Sequence, residues 1–145
     1  MKSTPNKKRI VLEPEGEENL LLFGIVSSEP DYKLSLALNR KIGITLRNIS
    51  PVSFTDDSGN ELLFSKFSST DKSGNITFSL ISNRYGRYFL IKKLRNIDYI
   101  LHVHSPGDNA AENIETQLRQ AEEVNAVFIL NADTINDRNL HYFIQ

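Results

Sequence analysis

His102 and His104 stand two residues apart in a stretch, Ile97–His104, that reads as a β-strand. Strand residues at i and i+2 share a face, so both imidazoles point the same way, with Asp98 and Ile100 beside them. Tyr99, Leu101 and Val103 take the core side. Two imidazoles at this spacing can share a transition metal, with Asp98 or His141 as a third ligand. A two-histidine pattern is of low specificity. The ordinary reading, a polar and partly solvated strand face, is preferred, and no metal site is expected.

Arg84, Arg87, Lys92, Lys93 and Arg95 form a basic run interleaved with Tyr85, Tyr88 and Phe89. Cations and aromatic rings together hold single-stranded nucleic acid, by phosphate neutralisation and base stacking. The same run also suits an edge strand, whose cations block edge pairing while its rings enter the core. The formal net charge of the whole chain is -1, which does not favour a polyanion site. The edge-strand reading is therefore preferred, and nucleic acid is the alternative partner.

Acid–base catalysis needs titratable groups converging in a pocket. Asp31, Asp98, Asp108 and Glu112 fall near strand ends, but in no recognised spacing. Asp31, Asp108 and Glu112 already suit helix starts. Ser27 and Ser28 follow a strand without a Gly-x-Ser-x-Gly elbow, and Ser105-Pro106-Gly107-Asp108 lacks the pattern of a phosphate-binding loop. With no Cys in the chain, thiol nucleophiles, disulfides and Cys-ligated metals are excluded. The expectation is a protein that is not an enzyme, with no catalytic residues and no cofactor. Ser28, Asp31, Arg84, Arg87, Lys92, Lys93, Arg95, Asp98, His102 and His104 mark the expected binding surface.

The elements that must carry these residues are legible in outline. Residues 1–18, with a basic start and then four glutamates, read as a flexible lead-in to a single α+β domain over 19–145. Leu20–Val26 is a short apolar run of strand length. Ser27-Ser28-Glu29-Pro30-Asp31 reads as a helix start, with Ser28 as cap and Asp31 meeting the helix dipole. That helix runs to about Lys41, with Leu34, Leu38 and Ile42 on one stripe, and Gly43 stops it. Ile44–Arg47 can return as a strand. Leu62–Ser68, Asn75–Ser82 and Arg87–Ile91 then form an antiparallel meander, with a turn at Asp71-Lys72-Ser73-Gly74. After Ile97–His104 comes a second helix, with Asn109 and Glu112 at capping-box spacing and Ile114, Leu118 and Ala121 on its buried stripe. Ala126–Leu130 is the last strand, Asn131–Arg138 reads as polar turn, and Leu140–Ile144 as an apolar tail that docks on the body.

Within this frame, Ile91 and the triplet Ile97-Asp98-Tyr99 resemble the signature Ile-Pro-Glu-x-x-x-Val-Asp-Tyr of a family of short bacterial proteins, the IPExxxVDY family. Lys92-Lys93 stand where that signature has Pro-Glu. Phe23-Gly24-Ile25, Asp31-Tyr32-Lys33-Leu34, Leu38-Asn39 and Ile81-Ser82-Asn83 follow in family order, over roughly residues 20–130. The resemblance implies one coherent domain and transfers no active site.

Two β-α-β units, one near each end, predict a ferredoxin-like, ACT-like plan with an additional meander between the units. Leu20, Leu22 and Val26 oppose Leu21, Phe23 and Ile25, and Ala126, Phe128 and Leu130 oppose Val127 and Ile129. Both faces of each strand are apolar, so the sheet centre must be covered on both sides. Two helices cover one face. The meander or a second copy covers the other, and a homodimer or a protein partner is expected, with a small ligand at the strand–helix loop as a further possibility. No apolar run approaches the roughly 20 residues of a membrane-spanning helix, and no apolar signal region follows the basic N-terminus, so a cytoplasmic protein without membrane contact is expected. The near-zero charge is a cancellation. Residues 84–95 hold five basic and no acidic side chains, whereas 108–123 hold five acidic side chains against Arg119. Opposite signs on one surface suit association.

Overall fold

The computed structural model describes residues 20–70, 76–104 and 110–140. The lead-in, the turn at 71–74, the expected cap at Asn109, His141 and the tail beyond Leu140 lie outside these residues. The fold is α+β, built on one antiparallel sheet. β1 (Leu20–Val26) leads into α1 (Asp31–Leu38), and β2 (Arg47–Thr55), β3 (Glu61–Thr70) and β4 (Thr77–Ser82) follow. Two short strands, β5 (Arg84–Tyr85) and β6 (Tyr88–Phe89), form a separate hairpin. β7 (Tyr99–His104), α2 (Ala110–Gln120), β8 (Ala126–Leu130) and a four-residue helix, α3 (Ala132–Ile135), complete the described chain, which ends in a 3-10 turn at Arg138–Leu140. The six long strands lie in the order β2-β3-β4-β7-β1-β8, each antiparallel to its neighbours.

β7 and β8 therefore run in the same direction with β1 antiparallel between them, and α2 makes the crossover. The first crossover differs from the expectation. The chain leaving α1 does not return at Ile44–Arg47 beside β1. It begins β2 at Arg47, on the far edge of the sheet. Pro51 hid this strand in the sequence. An edge strand tolerates proline because one side of its backbone pairs with nothing, and the ladder shifts register between Ile49 and Val52 at that point. The helix end also differs: α1 stops at Leu38, and the chain passes through a π turn, Asn39–Gly43, before Gly43 turns it out at φ +83°. The Asn39 side chain closes this turn on both polar groups of Leu46. It accepts from Leu46 N–H at 2.7 Å and donates to the Leu46 carbonyl at 3.3 Å.

The sheet buries both faces. On one, Leu34 and Leu38 of α1 and Ile114 and Leu118 of α2 pack over Phe23, Ile25, Leu80, Leu101 and Val103. On the other, Leu22, Phe64, Ile81 and Ile100 meet Leu90, Ile91 and Ile97, which come from the excursion between β4 and β7, and Ile135 and Leu140, which follow β8. The chain thus covers much of its own second face. The expected strand Arg87–Ile91 is not a sheet strand. Only Tyr88–Phe89 pair, with Arg84–Tyr85, and the chain then drops Leu90 and Ile91 into the second core. Asn83, fully buried, makes that descent possible. Its carbonyl accepts from Leu90 N–H, its Oδ1 accepts from Ile91 N–H at 2.8 Å, and its Nδ2 donates to the carbonyls of Leu94 and Ile97. One side chain satisfies three backbone groups that irregular buried chain would otherwise leave unpaired. Gly24 provides the space beneath: a Cβ there would lie 2.9 Å from Ile97 Cδ1.

Candidate functional site

The expected binding surface divides into three places. The first is the end of β1, where Ser27, rather than Ser28, is the structural serine. Ser27 N–H donates to Asp98 Oδ2 at 2.9 Å, Ser27 Oγ donates to the Glu123 carbonyl at 2.6 Å, and the same Oγ accepts from Glu29 N–H. Ser28 is exposed, and the N-cap of α1 is Pro30, with no side-chain cap bond, so the helix begins two residues later than a Ser28 cap would set it. Asp31 lies in the first helical turn and accepts from Tyr32 N–H. Tyr99 crosses beneath, donating its hydroxyl proton to the Glu29 carbonyl at 2.6 Å. Burial, reinforced by the negative charges of Asp31, Asp98 and Glu29, pushes its phenol up to about 12, so it stays a donor across the physiological range.

Asp98 links this loop to the second place, the basic run. Its Oδ1 takes Arg84 Nε in an ion pair, while Arg84 Nη2 donates to the Arg95 carbonyl at 3.1 Å. The Arg84 guanidinium also lies 4.7 Å over the Phe89 ring, and that of Arg87 lies 5.8 Å over Tyr88. Lys93 Nζ donates to the Ile135 carbonyl at 2.8 Å. Arg84 and Lys93 are therefore engaged in holding the excursion against β7 and the C-terminal segment. Lys92 and Arg95 are exposed.

The third place is the histidine pair, where the expected polar, partly solvated face holds for His104 and is corrected for Ile100 and His102. Ile100 and His102 are both buried, because the face opposite the helices is itself a packed core. His102 sits between Leu22 of β1 and Ser79 of β4, and its Nε2 has no hydrogen-bond partner. Burial, followed by the charges of His104 and Lys66, drives its pKa down to about 4, so the ring is neutral at pH 7. His104 is exposed, with its ring centroid 6.2 Å from that of His102. Asp98 lies beyond the opposite end of β7 and is committed to Ser27 and Arg84, so the three do not converge. Among the described residues, no group of three or more histidine, aspartate or glutamate side chains is placed to hold a metal ion.

Residue-by-residue reasoning had not picked out a cleft of about 780 Å³ between the β2–β3 turn, β6 and the segment after α3. Phe54, Leu62, Tyr88 and Phe89 give it apolar walls, and Asp57, Lys92 and Asp137 give it charge. Its volume is that of a small-molecule pocket. The turn at Asp56-Asp57-Ser58-Gly59-Asn60 carried a local signal. The Asp56 carboxylate accepts from Asn60 N–H and Ser58 N–H, which holds it below the usual carboxylate range, and Gly59 takes φ +89°. The other wall, Asn136–Asn139, reaches the cleft only by tertiary folding. Asn139 Nδ2 donates to the Leu90 carbonyl across 49 residues of chain.

No family model matches the chain, and no curated protein matches it in a sequence search. Among the described residues, no helix is long and apolar enough to cross a membrane.

Proposed function

We propose that the chain is a non-catalytic association domain, acting through self-association as a homodimer or through a protein partner, in a cytoplasmic setting. The observation that carries this reading is the exposure of large apolar side chains on two elements: Tyr32 and Leu36 on α1, and Phe128 and Ile129 on β8. Large apolar side chains at a surface suit contact with another chain more than they suit chemistry. The polar groups most suited to chemistry point the same way. Ser27, Arg84, Asp98 and Tyr99 are all occupied in bonds that hold the fold.

A ferredoxin-like plan belongs to the same reading. With β2 and β3 counted as an insertion after α1, the remaining strands have the order β8-β1-β7-β4, with two crossover helices on one face. The resemblance to the IPExxxVDY family fits a role for its signature in the fold: Ile91 and Ile97 are core residues, and Asp98 and Tyr99 hold the β1–α1 loop. A small ligand in the cleft by Tyr88 is the second reading, favoured by the cleft's volume and mixed walls. Sedimentation velocity over a concentration series tests the first. A mass that rises to a discrete oligomer, or a stable complex with a protein partner, supports it. A chain that stays monomeric, takes no partner and binds a hydrophobic dye strongly in its native state refutes it.

A further inference from the structure

Among the described residues, the two outer strands of the sheet pair on one side only, and their edges are built differently. β2 carries Pro51, a register shift beside it, and polar or charged side chains at Arg47, Asn48, Ser50, Ser53 and Thr55. These features resist addition of another strand. β8 is Ala126-Val127-Phe128-Ile129-Leu130, with no charge, no proline and a high β propensity. Phe128 is 45% exposed and Ile129 61% exposed, on opposite faces of the strand. Backbone direction adds to this. The Ile25 carbonyl accepts from Asp98 N–H, so it points toward β7. Ile25 stands opposite Val127, so Val127 and Ile129 turn their peptide groups away from β1, toward the free edge. Arg119 of α2 reaches over to donate to the Val127 carbonyl at 3.0 Å, while the same guanidinium holds Glu115 at 2.7 Å.

Resting on the association reading, we propose that β8 pairs antiparallel with β8 of a second copy, about a two-fold axis through Phe128, to make one twelve-stranded sheet. The strand is self-complementary in that register. Val127 of each copy stands opposite the partner's Ile129, and the two residues exchange a pair of backbone hydrogen bonds on each side of the axis. The two Phe128 rings become direct neighbours at the close, non-hydrogen-bonded spacing. Arg119 and Glu115 already pair within each copy, and the two-fold axis sets this pair in opposite order on the two neighbouring α2 helices, an arrangement that suits opposite charges across the seam. Because the β2 edge is blocked, pairing stops at two copies and does not propagate into a fibre.

The test uses the full chain, by sedimentation equilibrium and amide hydrogen exchange. The expected result is a dimer in which Val127 and Ile129 N–H are protected, with protection that falls on dilution. Phe128 N–H, paired with Gly24, stays protected at every concentration. Ile129→Lys should weaken the dimer by roughly tenfold or more, by setting a charge on the pairing edge, while leaving the circular dichroism spectrum unchanged. If Ile129→Lys fails to fold, the wild-type exchange pattern decides alone. A dimer in which Val127 and Ile129 N–H exchange freely overturns the edge pairing and leaves the association reading standing. A strictly monomeric, partnerless chain overturns both.

Discussion

Acidification should destabilise this fold through His102. The folded-state imidazole has its pKa lowered to about 4, first by burial and then by the charges of His104 and Lys66. In the unfolded chain it returns to its ordinary value near 6.5. Between those two values the unfolded state binds a proton that the folded state refuses. Stability therefore falls as the pH drops below about 6.5, by about 1.4 kcal/mol per pH unit, until the folded-state imidazole itself titrates near 4. The interval of about 2.5 units corresponds to about 3 kcal/mol, a large share of the roughly 5–15 kcal/mol typical of a domain. Carboxylates also lose native interactions in acid, so the measurement must be a difference.

His102→Leu supplies it. Leucine keeps an apolar side chain between Leu22 and Ser79 and removes both the titrating group and the unpartnered Nε2. Replacing an unsatisfied buried polar group with an apolar one of similar size is close to neutral or stabilising. At pH 7 the variant should match the wild type within about 1 kcal/mol. At pH 4.5 it should be more stable by about 2–3 kcal/mol, read from urea denaturation at each pH. NMR titration of the His102 ring supplies the independent check. A ring that titrates near 6.5 in the folded protein, or wild-type and variant curves that stay parallel between pH 7 and 4, would refute the reasoning.

Two further outcomes concern the excursion between β4 and β7. Asn83→Ala removes the partner of Ile91 N–H and of the Leu94 and Ile97 carbonyls, and leaving such groups unpaired in a core costs about 1–3 kcal/mol each. The loss measured by denaturant should be about 3 kcal/mol or more, and a loss below about 1 kcal/mol would mean that water reaches these groups. Gly24→Ala presses a methyl group against Ile97 Cδ1 at 2.9 Å and Leu130 Cδ2 at 3.3 Å, with an overpacking cost of about 1–3 kcal/mol. Ile97→Val deletes the colliding methyl, so it should cost less in the Gly24→Ala background than in the wild type; equal costs in the two backgrounds would sink the contact as the cause.

What the sequence made legible followed from strong local period. β1, β3, β8 and the buried stripe of α2 stand at or near their expected positions, because apolar runs and helical spacing specify them without help from distant residues. The apolar alternation of β1 also announced that both faces of the sheet would be buried. What escaped depended on long-range placement. β2 was hidden because its polar, proline-bearing composition makes sense only at an edge. The expected strand after Gly86 became a descent into the second core, because Asn83 accepts from the Leu90 and Ile91 N–H groups that a further ladder would have paired. The histidine pair looked solvated because alternation assigns a face, whereas only the folded excursion decides whether that face is covered. For β8 the error ran the other way. Its two apolar faces suggested a strand covered on both sides, yet Phe128 and Ile129 are exposed because β8 lies at the edge.

These reversals bear on where function should be sought. Asp98 and the cations of 84–95 draw attention in the sequence as recognition groups, yet Asp98 carries the load of both Ser27 and Arg84, and Lys93 anchors the segment after α3. Polar residues that resist replacement in such a clasp would do so because irregular chain packed on a sheet needs every donor and acceptor matched. From Ile91 to Tyr99, Ile91 and Ile97 cover the second face, while Asp98 and Tyr99 hold the β1–α1 loop. Among the described residues, the large apolar side chains left exposed are of another kind, and include Phe128 and Ile129 on the edge strand β8, where Arg119 reaches only the Val127 carbonyl, and Tyr32 and Leu36 on α1. Exposing them costs solubility and adds nothing to the core, which is the physical reason to look for a partner at β8 before looking for a reaction near His102.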